Sequence, residues 1–226
     1  MSVNGRKLAG WGCGVLALGA VLVAGTLTWY SAKLTGSFRQ VKQSEKELIA
    51  ATHVPADWNP PAGGLPEPAR LEAFCGVRES LAEWRQRLAA EEQRQSAGGR
   101  GWWARAGGAT DLAQTMAEYW VVRNEALRKA GLGPGEYAWL YGLVYYGWLG
   151  HDPAEGSQPG TEAWAGRGGP AAAAFERWRS QWQGGVATAT EAALAPLRAR
   201  LEAGWTAETN PVELIFLADE ATPPAR

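Results

Sequence analysis

The side chains that metal binding and nucleophilic chemistry require are scarce in this chain. Its two histidines, His53 and His151, lie far apart, and neither belongs to an HExxH motif; no CxxC and no G-x-S-x-G occurs either. Metal ligation needs His, Cys, Asp or Glu at spacings that one helix or turn can bring together, so neither a metal nor a cofactor is expected. The glycine-rich stretches do not follow a strand and open a helix, as phosphate-binding loops do. Paired carboxylates remain as an enzymatic route, with Glu118, Glu125 and Glu136 on neighbouring helical stretches and Asp152 and Glu155 beyond them. A hydrolase of that kind sets two acids about 5–9 Å apart across a cleft. Any helical protein offers such acids, which makes this the least of three functional readings.

Residues suited to binding are more prominent. Arg123 falls on an apolar stripe between Tyr119 and Leu127, where a guanidinium must meet an acid or a carbonyl, since an unpartnered buried charge is costly. Glu136, Glu79 or a loop acid are the candidate partners. The stretch GGRGWWARAGG, residues 98–108, sets Arg100, Trp102, Trp103 and Arg105 among five glycines. Neighbouring side chains diverge by 100° on a helix and by 180° on a strand, so Trp102 and Trp103 do not share one pocket. Ordering each residue of such a loop costs roughly 1–2 kcal/mol, more in sum than two tryptophans return. The loop is therefore either pinned by the domain or docks on a partner, a ligand or a membrane surface, where Arg100 and Arg105 would meet lipid phosphates. Trp164, within the aperiodic stretch 150–169, completes the set.

The elements that must position these residues read as helices. Isoleucines are few beyond the first 30 residues and no stretch alternates apolar with polar over a strand's length. Residues 31–51 place Leu34, Phe38, Val41, Glu45 and Leu48 on a narrow seam, which suggests an amphipathic stalk helix. Five prolines and a glycine pair over residues 55–68 exclude regular helix and mark a linker. A helix from about Glu67 then carries Leu71, Phe74, Val77 or Arg78, Leu81, Trp84 and Leu88. Thr110 or Asp111 opens the next, whose stripe includes Met116, Tyr119, Arg123 and Leu127 before Gly131 ends it.

Pro134 suits the first turn of the following helix. Tyr137, Tyr141, Tyr145 and Trp148 line one side of that helix, Trp139, Leu143 and Tyr146 the other, and apolar residues nearly all round imply a central position. Residues 150–169 lack any period, a length of loop that usually covers or binds something. Helices resume at 170–183 and at 187–203, with Pro196 breaking the second, and Asn210-Pro211 caps a last one, VELIFLAD. A faint echo links Phe74-x-x-Val77-Arg78 to Tyr119-x-x-Val122-Arg123; helix periodicity suffices to explain it.

Leu8 to Tyr30 carries no charge and at 1.5 Å per residue is long enough for the roughly 30 Å hydrocarbon layer. Arg6 and Lys7 precede it, while Trp11, Trp29 and Tyr30 stand near its ends, where aromatic rings settle at headgroup level. The run exceeds the apolar core of a cleaved signal peptide, so it reads as a single-pass anchor of a bacterial inner membrane. Lys33, Arg39, Lys42 and Lys46 argue for a cytoplasmic bulk, but a short basic tail abutting the run favours a signal anchor with the domain outside the cytoplasm. With 22 basic and 23 acidic residues intermixed, no basic face is offered to nucleic acid. Beyond the anchor only Cys75 remains, so no internal disulfide staples the domain.

The fold class expected is all-α: one transmembrane helix followed by a compact, tryptophan-rich domain of about six to seven helical segments. Its organisation is a basic tail at 1–7, the anchor at 8–30, the stalk at 31–51, a Pro/Gly linker at 52–66, the helical domain at 67–219 and a tail at 220–226. The 13 tryptophans suit protein or sugar contacts as well as a core. The leading functional reading is a membrane-anchored interaction or scaffold module of a bacterial envelope, with a protein partner or self-association. The alternative, from a different class, is a small-ligand or glycan-binding domain with an aromatic cleft near Arg123.

Overall fold

Proline and glycine chemistry sets most of the helix boundaries. The computed structural model describes residues 35–54, 58–60, 64–97, 102–153, 178, 182 and 185–216, and for 95–97 and 102–110 the backbone alone. Helix α1 (residues 35–52) is followed by α2 (Pro68–Ser80) and α3 (Ala82–Ala97), which meet at a one-residue break at Leu81. Next come α4 (Trp102–Ala130) and α5 (Pro134–Tyr141), which runs on into a π-helical turn over Gly142–Trp148. Helix α6 (Thr188–Leu194) passes through a 3₁₀ turn at Ala195–Leu197 into α7 (Arg198–Ala203), and a four-residue α8 (Asn210–Glu213) closes the set. The fold is all-helical, with no strand among the described residues. No helix among them is long and apolar enough to cross a membrane, and Leu8 to Tyr30 lies outside them.

Pro68 and Pro134 stand at first-turn positions, where a missing N–H costs nothing. Gly131, at φ 66°, ends α4 in the left-handed region. Its N–H donates to Arg128 O and the Leu132 N–H to Leu127 O, the paired bonds of a Schellman stop, and Leu127 and Leu132 are both buried beneath it. The Pro196 break falls where the sequence places it, as a 3₁₀ turn between α6 and α7.

Two boundaries differ from the sequence reading. Helix α4 starts at Trp102, not at Thr110 or Asp111, so Trp102 to Ala109 is helical rather than a loop. Gly107 and Gly108 each cost only about 1 kcal/mol in a helix, and the alanines around them favour it. The last helix stops at Glu213 instead of running through VELIFLAD. Asn210 does not cap it: the N-cap is Thr209, without a side-chain cap bond. At and just beyond the helix end, the carbonyls of Glu213 and Ile215 accept from the Arg123 guanidinium.

Helices α3 and α4 pack along each other, with α2 laid against α4, α5 and α7. The stalk helix lies on α4 through Phe38, whose ring is 6.2 Å from that of Trp120, and through Ser44, whose hydroxyl accepts from Asn124. Every residue of α5 is buried, as expected of a central helix. At its N-cap Gly133 is so close to Val54 that an added Cβ would lie 2.2 Å from the valine Cβ, which pins the end of α1 to the start of α5.

Candidate functional site

Two groups of polar and aromatic residues stand out, one sealed in the core and one open. The sealed centre gathers side chains from α2, α4 and α5 around the short segment Asn210–Phe216. Arg78 and Glu213, both fully buried, form an ion pair at 2.5 Å. The same carboxylate accepts from Tyr119 at 2.6 Å and Tyr137 at 2.8 Å. Arg78 also donates to Gly204 O at the end of α7, and Arg85 to Arg78 O, so each guanidinium sits at the negative end of a helix. Arg123 donates to the backbone carbonyls of Glu213 (2.7 Å) and Ile215 (3.0 Å) and stacks on Phe216. Trp120 Nε1 donates to Val212 O, and Asn210 Oδ1 accepts from Tyr141 and Tyr146.

Charge in this centre behaves as burial and pairing dictate. Burial opposes ionisation of Glu213, but Arg78, the Tyr119 hydrogen bond and Arg123 outweigh it and hold the carboxyl below the usual carboxylate range. Burial pushes the Tyr119 and Tyr141 hydroxyls well above the usual phenol value. Arg85 is lowered by burial and by the neighbouring Arg78 charge. A carboxyl held ionised, accepting three hydrogen-bonding donors and closed from solvent, is a fastening; a general acid needs its pKa raised.

The open group is a cleft of about 400 Å³ between the linker, the start of α2 and the start of α5. Half-buried Trp58 and Pro66 form its apolar wall, backed by the buried Trp139, whose ring centroid is 5.7 Å from that of Trp58 and tilted by 59°. Asn59 and Glu67 add polar groups at the edge. Its floor is a fork: Arg70 donates through Nε (2.6 Å) and Nη2 to the two oxygens of Glu136, and Nη2 also to Gly131 O. The Glu136 hydrogen bond raises the Arg70 pKa further, against partial burial. Leu65, 48% exposed, leaves a large apolar side chain in solvent beside Pro66.

Of the seven binding candidates singled out from the sequence, only Arg123 and Glu136 have described side chains. Arg100 and Trp164 lie outside the described residues, as does Glu155. Trp102, Trp103 and Arg105 fall in the first turn of α4, where only the backbone is described. Arg123 lines no open cleft: it is buried at 0% exposure and engaged by carbonyls of the Glu213–Phe216 segment rather than by Glu136 or Glu79, whose partners are Arg70 and Arg200. Of the two candidates whose side chains are described, Arg123 and Glu136, only Glu136 lines the cleft. Among the other acids, Glu118 meets Gln114 and Arg87, and Glu125 meets Arg128 and Lys129. Among the described residues no group of three or more His, Cys, Asp or Glu could hold a metal.

Sequence reasoning missed the cleft and the Arg78–Glu213 pair. A tryptophan stranded in a proline-rich linker, Trp58, was the available signal for the first. For the second it was a glutamate between Val212 and Leu214 facing an arginine on the apolar stripe of α2. No protein-family model, curated protein or solved structure matches the chain.

Proposed function

We propose that this chain is a membrane-anchored helical recognition module of a bacterial envelope, acting through the Trp58–Trp139 cleft without chemistry of its own. The observation that carries the reading is the contrast between the two polar groups. The sealed centre engages its charges on the chain's own carboxyl-terminal segment, while the cleft is concave, partly aromatic and open, with converging polar groups, which is the usual composition of a contact site. Exposed Leu65, next in sequence to the lining residue Pro66, adds apolar surface of the kind partners cover. The uncharged run from Leu8 to Tyr30, flanked by Arg6 and Lys7, supports the anchor, with the helical domain on the extracytoplasmic side.

The ligand-binding reading is favoured over a scaffold acting through flat surfaces, and over a two-carboxylate hydrolase, three of whose four described candidate acids, Glu118, Glu125 and Glu136, are each held by a cation. The test places a photo-crosslinking residue at Leu65 in the full chain in its native membranes. Covalent products should form and should fade when Trp58→Ala removes one wall. Products that are absent, or equally strong in Trp58→Ala, would reject the cleft as the contact site. Alkaline carbonate extraction tests the anchor: the full chain should stay with the membrane and a chain lacking residues 8–30 should not.

A further inference from the structure

We infer that the cleft accepts a neutral saccharide, an inference that rests on the cleft being the recognition site. Three properties of its lining select this chemistry. First, the exposed apolar surface is the half-buried indole of Trp58, backed by the buried Trp139 ring tilted at 59° to it. It offers a single wall to a ligand with an apolar face, such as the C–H face of a pyranose ring, rather than a slot for a planar heterocycle.

Second, the polar groups alternate in kind. Arg70 donates only, the Glu67 carboxylate accepts only, and the Asn59 amide does both, while both Glu136 oxygens are taken by Arg70. A ligand that meets Arg70, Glu67 and Asn59 must donate and accept from neighbouring atoms, which a ring bearing several hydroxyls does. Third, the charges oppose an ion of either sign. The Arg70 fork is already closed by both Glu136 oxygens, so an anion would have to displace a bidentate carboxylate while facing Glu67. An organic cation would find the indoles and Glu67 but would sit against the Arg70 guanidinium, whose side chain is still 30% exposed.

Pockets that take small organic ligands run from about 300 Å³ upward, and at about 400 Å³ the cleft lies at the small end of that range. One or two sugar units would therefore occupy it.

The experiment uses the full chain in lipid nanodiscs, free of sugar-based detergent, with 5-fluorotryptophan incorporated and the Trp58 fluorine signal assigned by Trp58→Phe. The probes are cellohexaose, chitohexaose and maltohexaose, then tetramethylammonium chloride, then inorganic phosphate. At least one hexasaccharide should shift the Trp58 signal saturably. Trp58→Ala should weaken its binding by calorimetry at least about tenfold while leaving the thermal midpoint within a few degrees, since Trp58 is only half-buried. A Trp58 signal moved by tetramethylammonium or phosphate and by no hexasaccharide would overturn the saccharide assignment while leaving the cleft as a recognition site. If no probe moves it, the Leu65 crosslinks separate the two failures: with Trp58-dependent crosslinks only the saccharide is rejected, and without them both readings fall.

Discussion

Glu213 is the most consequential residue of the described structure. It meets Arg78 from α2, Tyr119 from α4 and Tyr137 from α5 through its carboxylate, and Arg123 through its carbonyl. The echo between Phe74-x-x-Val77-Arg78 and Tyr119-x-x-Val122-Arg123 acquires a physical sense here, because the two arginines end on one residue, one at its side chain and one at its backbone. Removing one member of a buried pair strands the other charge, so Glu213→Gln should destabilise the fold by about 3–5 kcal/mol. Replacing both partners, Arg78→Met with Glu213→Leu, should cost less than the sum of the single changes; chemical denaturation of the four proteins measures this. The pH dependence has a definite sign. The folded carboxyl lies below its unfolded value of about 4.3, so its contribution is fully present above that pH and is lost as the pH falls through the folded value. The stability gap between the native chain and Glu213→Gln should therefore narrow in acid, and a gap that widens there would show that Glu213 is not held ionised.

Among the elements, those bounded by local chemistry were legible in the sequence. Pro134, Gly131 and Pro196 act through their own backbone, and each does in the structure what its type requires. The central position of α5 was legible as well, because a helix apolar on both faces has nowhere else to go. What escaped depended on distant partners. The last helix ends at Glu213, whose carbonyl accepts from Arg123, 90 residues away in sequence. The cleft depends on Arg70 and Glu136, 66 residues apart, and on Val54 closing against Gly133. No periodicity encodes such pairings. The start of α4 was missed for a different reason: glycines suggest a loop, yet their cost in a helix is small beside what a long packed helix gains. The Schellman stop gives a test at this scale. An added Cβ at Gly131 meets only Arg70 Nη1 at 4.0 Å, so Gly131→Ala should lose about 1–2 kcal/mol through its left-handed backbone alone. A loss near zero would mean that the turn does not hold α4 and α5 in register.

For the molecule as a whole, a sealed centre of arginines, tyrosines and one glutamate binds Asn210–Phe216 into the core, and the cleft proposed for recognition opens elsewhere, at the surface. Cys75 fits the same description, buried without a disulfide, its thiol pushed up to about 11 by burial and so kept in the unreactive protonated form. The division requires that the carboxyl-terminal segment be part of the cooperative core and not a strap that opens alone, since an opening strap would expose Arg78, Tyr119 and Tyr137 to substrates. Native-state hydrogen exchange of the full chain decides this most directly. The amides of Glu213, Leu214 and Ile215 should exchange only with the slowest amides of α4 and α5, at the free energy of global unfolding. Exchange of those three amides well ahead of α4 and α5 would contradict the account and make the charged centre, in place of the cleft, the site to examine for function.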